Sequence, residues 1–207
     1  MVDKEKIAII GAGGFGNEVY HLLDKDKFEP IGFIDNNNLK ENLPFSVIGN
    51  EDVMSTLMEN YQFASCVIAI GNIKKRQKIY SKIGGMKLRF PQIIHSSIQS
   101  HSADIGEGTI IYPNVVIMNG CKVGKFSLIN SGVTFGHDVL IGDFCNINPG
   151  VHLAGKITIG DGSFIGIGAS IKEDIHIGGN AVIGAGSVVL KDVPDGTTVY
   201  GVPAKKH

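Results

Sequence analysis

The second half of the chain is built from a six-residue repeat that runs without a gap from residue 105 to residue 194. Cut into sixes, this stretch gives fifteen hexads, and the first position of every hexad is Ile, Val, Leu or Phe. Eight of the second positions are glycine, and the fifth position holds only Thr, Val, Cys, Ser, Ile or Ala. Because 43% of the whole chain is apolar, such a run is expected by chance on the order of once in 10⁵ trials. The repeat therefore constrains the fold more than any other feature.

A six-residue period fits neither the 3.6-residue turn of an α-helix nor the two-residue alternation of a long strand. It fits a short strand followed by a turn, in which the large first-position and the small fifth-position side chains both point into a common core. Glycine is expected at the corners because it supplies unusual backbone angles. Three such units close a triangular coil, so the repeat predicts five coils stacked about 4.8 Å apart. The handedness of the coil does not follow from this argument.

The charge balance and the length of the apolar runs exclude several classes of partner. Lys and Arg number 19 against 20 Asp and Glu, so the chain lacks the basic excess that draws proteins to nucleic acids. No apolar run approaches the roughly 18 to 20 residues of a membrane-spanning helix, and the charged start leads into too short an apolar run for a signal peptide. The three cysteines are widely spaced and form no CxxC pair. The sequence thus predicts a cytoplasmic protein without nucleic-acid or membrane partners.

The first ninety residues have the pattern of a small Rossmann-like unit. Apolar runs and helical spacing predict a strand, a glycine loop, a helix, two strands and a basic helix, over residues 6–10, 11–16, 17–23, 30–35, 66–72 and 74–83. The predicted fold class is therefore α/β plus all-β. A βαβαβ unit is expected over 1–90 and a parallel β solenoid with a C-terminal tail over 91–207.

The glycine loop has the spacing GxGxxG, which lets a phosphate approach backbone N–H groups at a helix N-terminus. Asp35 follows the last glycine of the loop by 19 residues, where a carboxylate can accept hydrogen bonds from ribose hydroxyls. By itself this fingerprint would indicate an NAD-dependent oxidoreductase, but the unit has room for only one mononucleotide-binding half. A further alternative is that the glycines only permit close packing of the helix on the strand.

The hexads and the ending YGVPAK resemble those of the hexapeptide-repeat acyltransferases. Combined with the small α/β unit, the whole chain resembles the sialic-acid and nucleotide-sugar acyltransferases of the NeuD/PglD type. This resemblance implies a left-handed parallel β-helix that is active as a homotrimer. It also implies acetyl-CoA as co-substrate and a nucleotide-activated amino sugar as the acceptor.

The resemblance assigns substrate-binding roles to six residues of the first unit. In the family, the glycine loop and the ends of the next strands hold the nucleotide-linked sugar. The matching positions are Gly13, Gly14, Phe15, Asp35, Asn36 and Gly71. Relatives often have His where this chain has Phe15 and a second Asp where it has Asn36, so the sugar or base that is recognised is expected to differ.

Acyl transfer from a thioester requires a base for the acceptor's proton and a donor for the developing oxyanion. His137 stands out among the seven histidines because it precedes Asp138 at a hexad corner, where the carboxylate can hold one ring nitrogen and fix the tautomer. The family resemblance implies that His137 is the general base. The remaining histidines are expected on the surface or in loop hydrogen bonds, and they are His21, His95, His101, His152, His176 and His207.

The resemblance also places acetyl-CoA in a groove between two β-helices. The backbone N–H of Gly155 is expected at the thioester carbonyl, and the other implied cofactor-binding residues are Asn130, Asn146, Ile167 and Ala185. Four lysines are candidates for the phosphates of the cofactor, although they could equally be solvated: Lys172, Lys191, Lys205 and Lys206.

Three readings of the function differ in chemistry. The favoured one is an acetyl-CoA-dependent N-acetyltransferase of a nucleotide-linked 4-amino sugar, and the same residues could instead serve a sialic acid or other sugar O-acetyltransferase. The third is a non-catalytic nucleotide-binding scaffold. A zinc hydratase is not expected. The γ-class carbonic anhydrases place two histidines five residues apart, whereas the residue five after His137 is Gly142, so no metal is predicted.

Overall fold

The computed structural model describes residues 3–37, 44–100 and 102–206, so that His101 and His207 lie outside the described residues. The chain divides into two compact units between Ile93 and Ile94. None of the helices in the described ranges has the length and apolar character needed to cross a bilayer.

The first unit is a four-stranded parallel sheet with helices in its connections. Its elements are β1 (Glu5–Ile10), α1 (Gly14–Leu22), β2 (Phe28–Ile34), β3 (Val47–Gly49), a 3₁₀ turn (Glu51–Val53), α2 (Met54–Tyr61), β4 (Ser65–Ile68) and α3 (Ile73–Ile83). The strand order is β3-β2-β1-β4. The central strand β1 is buried over its last four residues, which fits its continuous apolar run.

The sequence prediction of a βαβαβ unit missed β3 and α2. Strand β3 has only three residues, too few for a period to be recognised, and it pairs in parallel with β2 through Phe33 and Ile34. Helix α1 begins at Gly14, earlier than the apolar spacing indicated, because glycine residues contribute nothing to that spacing.

The second unit is a left-handed parallel β-helix with three faces of two-residue strands, as the family resemblance implied. The first face contains Asp104–Ile105, Lys122–Val123, Leu140–Ile141, Thr158–Ile159 and His176–Ile177. The second face contains Ile93–Ile94, Ile110–Ile111, Leu128–Ile129, Asn146–Ile147, Phe164–Ile165, Val182–Ile183, Thr198–Gly201 and the antiparallel Ala204–Lys206. The third face contains Gln99–Ser100, Val116–Ile117, Thr134–Phe135, His152–Leu153, Ser170–Ile171 and Val188–Val189.

The interior of the β-helix is filled by the hexad positions that the repeat singled out. All the first-position side chains are buried except Ile105, which is partly exposed, and all the fifth-position side chains are buried. Residues 18 apart pair across neighbouring coils, so that Ile129 lies beside Ile147 in parallel register. Each coil therefore repeats the backbone of the coil before it.

The expectation that glycine supplies unusual angles at the corners is confirmed at the fourth hexad position, for example at Gly150 (φ +66°) and Gly168 (φ +67°), but not at the second. Left-handed φ values occur at the fourth position, where non-glycine residues such as Asp138 (φ +59°) and Lys156 (φ +58°) adopt them as well. Second-position glycines are needed for a different reason. A Cβ on Gly136 would lie 2.6 Å from the backbone carbon of Ala154, and a Cβ on Gly160 would lie 2.5 Å from the backbone nitrogen of Gly179. These glycines allow neighbouring coils to approach.

We expect the two kinds of glycine to respond differently to alanine. Gly160→Ala should lower the free energy of unfolding by roughly 3 kcal/mol or more, because the added methyl meets fixed backbone. Gly150→Ala should cost only about 1 kcal/mol, since φ is +66° there but the space is open. Urea unfolding followed by circular dichroism measures both values, and equal losses would contradict the stacking explanation.

Candidate active site

His137 and Asp138 form a hydrogen-bonded pair on an exposed edge of the β-helix. Nδ1 of His137 lies 2.8 Å from Oδ2 of Asp138, and the two side chains are 61% and 59% exposed. A carboxylate accepts the Nδ1 proton, which leaves the lone pair on Nε2. No described residue bonds to Nε2, so this nitrogen can accept a proton from an incoming group.

The coil before His137 fixes the position of the Asp138 carboxylate. The backbone N–H of Asp138 donates to the carbonyl oxygen of Asn119 at 3.0 Å, and Asp138 adopts a left-handed φ of +59°. A Cβ on Gly120 would lie 2.2 Å from Oδ1 of Asp138. Only glycine at position 120 leaves the space that this carboxylate occupies.

The coil after His137 places Gly155 beside the ring. A Cβ on Gly155 would lie 2.6 Å from Nε2 of His137, so the missing side chain keeps the lone pair accessible. Among the described residues, none accepts the backbone N–H of Gly155. The equivalent N–H of Asp143 on another edge donates to Oδ1 of Asp161 at 2.8 Å. Gly155 therefore retains an unused donor next to a potential base, the arrangement that acyl transfer requires.

The structure does not bring all the predicted cofactor-binding residues together. His137 and Gly155 lie in the turns that lead from the third face to the first, which we call the His137 edge (118–121, 136–139, 154–157 and 172–175). Ile167 and Ala185 occupy the turns from the second face to the third, called here the Ile167 edge (130–133, 148–151, 166–169 and 184–187). One chain presents these residues on two different edges.

Asn130 and Asn146 contribute differently. Asn130 lies on the Ile167 edge, and its amide Nδ2 donates to the carbonyl oxygen of Ile147 at 3.4 Å. Asn146 lies within a strand of the second face and is only 7% exposed, so little of it can reach a ligand. Ile167, in contrast, is 60% exposed and available for contact.

The glycine loop of the first unit contains two kinds of glycine. Gly11 has φ +107°, and a Cβ on Gly16 would lie 1.9 Å from the carbonyl oxygen of Gly11, so close packing explains both. A Cβ on Gly13 or on Gly14 would meet nothing within 4 Å. Packing therefore leaves Gly13 and Gly14 unexplained. They begin α1, and no side chain caps its N-terminus, so the first backbone N–H groups of the helix are available to an anion.

Asp35 and Gly71 take part in holding this loop region. Oδ2 of Asp35 accepts the backbone N–H of Ala12 at 2.9 Å, and Oδ1 accepts that of Asn37 at 2.8 Å. The buried guanidinium of Arg76 donates to the carbonyl oxygens of Ile70 and Gly71 at 2.7 and 3.3 Å. Sequence reasoning missed Arg76, because a basic residue in a basic helix gives no sign that it is buried.

A cavity of about 370 Å³ lies beyond the carboxyl ends of β2 and β4. Its lining contains two predicted residues, Asp35 and Asn36, and several that were missed: Asn37, Glu51, Ile70, Lys75, Lys78, Ile79 and Lys82. Glu51 was overlooked together with β3. Its signal in the sequence is Asn50 followed by two acidic residues, a pattern typical of a helical start, and Asn50 does cap the turn.

Most of the other described histidines have local roles or are exposed. Nδ1 of His95 lies 2.9 Å from Oγ of Ser97, and Nδ1 of His152 lies 2.8 Å from Oγ1 of Thr134. His21 stacks edge to face with Tyr20, and His176 is exposed. Phe15 is partly buried in the first turn of α1.

Comparisons with known proteins agree with both units. Residues 6–83 match the PglD N-terminal domain, and residues 102–137 and 156–191 match the bacterial transferase hexapeptide model of six repeats. No curated protein sequence gives a significant match.

Solved structures extend the similarity over the whole chain. A variant of perosamine N-acetyltransferase from Caulobacter crescentus, in complex with CoA and GDP-perosamine, has a TM-score of 0.93 and 29% identity, and the match covers 100% of this chain and 98% of that one. The acetyltransferase domain of PglB from Neisseria gonorrhoeae, in complex with acetyl coenzyme A, has a TM-score of 0.90 and 32% identity over 99% and 100%. WeeI from Acinetobacter baumannii has a TM-score of 0.86 and 31% identity over 99% and 100%.

Gly155→Ala should shield the Nε2 atom of His137. Diethylpyrocarbonate reacts with the neutral imidazole. We expect it to modify His137 at least about tenfold more slowly in this variant than in the unaltered protein, since a small displacement at a reacting atom has large effects on the rate. Peptide mass spectrometry separates His137 from the other histidines.

The matched control is Glu173→Ala, one coil further along the same edge. It removes side-chain atoms instead of adding them and should leave the modification rate of His137 unchanged. An unaltered rate in Gly155→Ala would contradict the contact between Gly155 and the ring.

Proposed function

Because the chain belongs to the hexapeptide-repeat acyltransferases of the NeuD/PglD type, we propose that it transfers the acetyl group of acetyl-CoA to the amino group of a nucleotide-linked 4-amino sugar. The fold and the family make it an acyltransferase that uses acetyl-CoA. The acceptor, the base and the assembly are the parts that we propose.

The observation that carries this proposal is the open Nε2 of His137 beside the unused N–H of Gly155. In the proposed reaction, Nε2 takes a proton from the sugar amine as the amine nitrogen attacks the acetyl carbonyl carbon. Asp138 holds the imidazolium that forms, and Gly155 donates to the oxyanion. The C–S bond then breaks, and His137 returns the proton to the departing thiolate of CoA.

The first unit supports an acceptor that carries a nucleotide. Gly13 and Gly14 offer backbone N–H groups at the start of α1, where a diphosphate is stabilised. We assign Phe15, Asp35, Asn36 and Gly71 to contacts with the same ligand. The structure of the Caulobacter relative contains GDP-perosamine, a nucleotide-linked amino sugar. That relative is named an N-acetyltransferase, which means that it transfers the acetyl group to nitrogen.

We further propose that the enzyme is a homotrimer. The imidazole of His137 is largely exposed, so one chain cannot exclude water from the reacting atoms. The proposed cofactor contacts also lie on two edges of the β-helix. A neighbouring copy that sets its Ile167 edge, with Asn130 and Ala185, against the His137 edge would complete the groove, whereas Asn146 lies on the second face, outside this edge. Lys172, Lys191, Lys205 and Lys206 are then candidates for the phosphates of CoA.

The buried thiols of the three cysteines support a reducing location. Cys66, Cys121 and Cys145 are all buried and none of the three forms a disulfide, and burial raises the pKa of the Cys66 thiol, so it stays protonated at neutral pH. The proposed site of action is the cytoplasm.

A substrate panel tests the reaction. The protein is incubated with acetyl-CoA and UDP-, dTDP- or GDP-4-amino sugars, beside free sialic acid, and the products are weighed by mass spectrometry. We expect a mass gain of one acetyl group on a nucleotide amino sugar. Acetylation of sialic acid alone would overturn transfer to nitrogen, and no acetylation at all would favour a binding scaffold.

The role of His137 is tested by substitution. His137→Ala should lower kcat by roughly 10² to 10⁴ while acetyl-CoA binding is retained, because a general base contributes about that factor. His176→Ala removes an exposed histidine from the first face and should leave kcat within about twofold. Near-normal turnover of His137→Ala would rule out the assignment of the base.

A further inference from the structure

The cavity of about 370 Å³ in the first unit, called here the slot, combines apolar and polar surface. Ile70 and Ile79 give it apolar surface, while Asn36 and Glu51 supply polar atoms. Its place at the carboxyl ends of β2 and β4, beside Asp35, is where a parallel α/β sheet binds ligands. If Asp35 accepts from the ribose of the acceptor substrate, the base attached to that ribose lies in this slot. The inference below therefore rests on the proposed function.

Two hydrogen-bond acceptors of the polar wall are held side by side. In the parallel pairing of β2 with β3, Ile34 lies opposite Gly49, and the N–H of Asp35 donates to the carbonyl oxygen of Gly49 at 2.9 Å. Asn36 and Glu51, which follow these strands, are thus neighbours, and Nδ2 of Asn36 donates to Oε1 of Glu51 at 2.9 Å. The amide is turned so that Oδ1 of Asn36 remains an acceptor. No described residue bonds to Oε2 of Glu51.

The Glu51 carboxylate is partly desolvated and lies close to an ammonium group. Its side chain is only 14% exposed, and Nζ of Lys82 lies 3.7 Å from Oε1. Lys82 also forms an ion pair with Asp52, so its charge is shared between two carboxylates. When a ligand leaves a partly buried acceptor without a hydrogen bond, the loss of binding free energy is larger than for an exposed acceptor. Glu51 is therefore suited to discriminate between ligands.

The nucleobases differ in the donors that they offer to such a wall. Guanine presents two adjacent donors, N1–H and the 2-amino group, next to the O6 acceptor. Uracil and thymine present one N3–H between two carbonyl oxygens, and those oxygens would face the carboxylate. Lys75 and Lys78 of α3 line the same cavity, and lysine is a common donor to guanine O6 and N7.

We infer that this slot binds guanine and that Glu51, oriented by Asn36, is the residue that selects it, so that the acceptor substrate is a GDP-linked amino sugar. Glu51 accepts from N1–H and the 2-amino group, while Lys75 and Lys78 face the side of the base that carries O6 and N7. This role explains why the chain has Asn36 where relatives often have a second Asp. A second Asp at that position would repel Glu51, whereas the amide holds it in place.

Equilibrium binding of nucleoside diphosphates tests this inference without any acetyl transfer. Isothermal titration calorimetry with GDP, IDP, UDP and dTDP should give the tightest binding for GDP, by about tenfold or more over UDP and dTDP. IDP lacks only the 2-amino group, and it should bind about tenfold more weakly than GDP because one hydrogen bond to a charged acceptor is lost.

Glu51→Gln should abolish most of this discrimination. The ratio of the dissociation constants of IDP and GDP should fall from about ten toward one, because the charged acceptor for the 2-amino group is gone. The matched control, Glu59→Gln, changes an exposed glutamate of α2 and should keep the full ratio. Thermal melting of each variant shows that it is folded.

The outcomes separate the two levels of the proposal. Equal or tighter binding of UDP or dTDP would overturn the guanine inference, as would undetectable binding of all four diphosphates. An unchanged ratio in Glu51→Gln would overturn the role of Glu51. In each case the substrate panel still decides whether an amino sugar is acetylated, so that failure of the acetyltransferase proposal is seen independently.

Discussion

The structure of the second unit depends on the backbone contact between one coil and the next. Residues 18 apart, such as Leu128 and Asn146, are paired in register, and the Leu128 N–H donates to the carbonyl oxygen of Cys145, the residue before Asn146. Second-position glycines allow this approach. Because the coils stack in register, a side chain on an edge lies directly beside its equivalents in the neighbouring coils. The candidate site is one such column, in which Asn119, His137 and Gly155 follow one another.

This column explains how a small number of residues forms a reactive arrangement in a regular scaffold. The β-helix supplies a repeated turn, and only the side chains differ from coil to coil. Asn119 provides a backbone acceptor, His137 the imidazole, and Gly155 both an absent side chain and an unused N–H. The same position on another edge carries Asp143 and Asp161, which satisfy their neighbouring N–H groups. Local chemistry thus depends on which residues the column contains, since the backbone is the same.

The sequence was sufficient for the three-sided fold of the second unit and for the hydrogen-bonded pair of His137 and Asp138, but not for the whole candidate site. A hexad period predicts a three-sided core because a short strand and a turn point the first and fifth positions into it together, and the His-Asp pair is adjacent along the chain. The open N–H of Gly155 became visible only through the 18-residue register. The role of the second-position glycines was misjudged, since a one-dimensional pattern does not show whether glycine serves a backbone angle or a close approach. Glu51 was missed because the three-residue strand that positions it has no detectable period.

The equivalence of the coils has an evolutionary consequence. Gain of one complete 18-residue coil by internal duplication beyond Gly155 would preserve every strand pairing and would leave His137 in contact with its neighbours. An unrelated 18-residue coil inserted between His137 and Gly155 would be equally well tolerated by the scaffold, yet it would separate the imidazole from Gly155. Insertion of a foreign coil is therefore restricted on both sides of His137, where the coils of Asn119 and Gly155 must remain its neighbours.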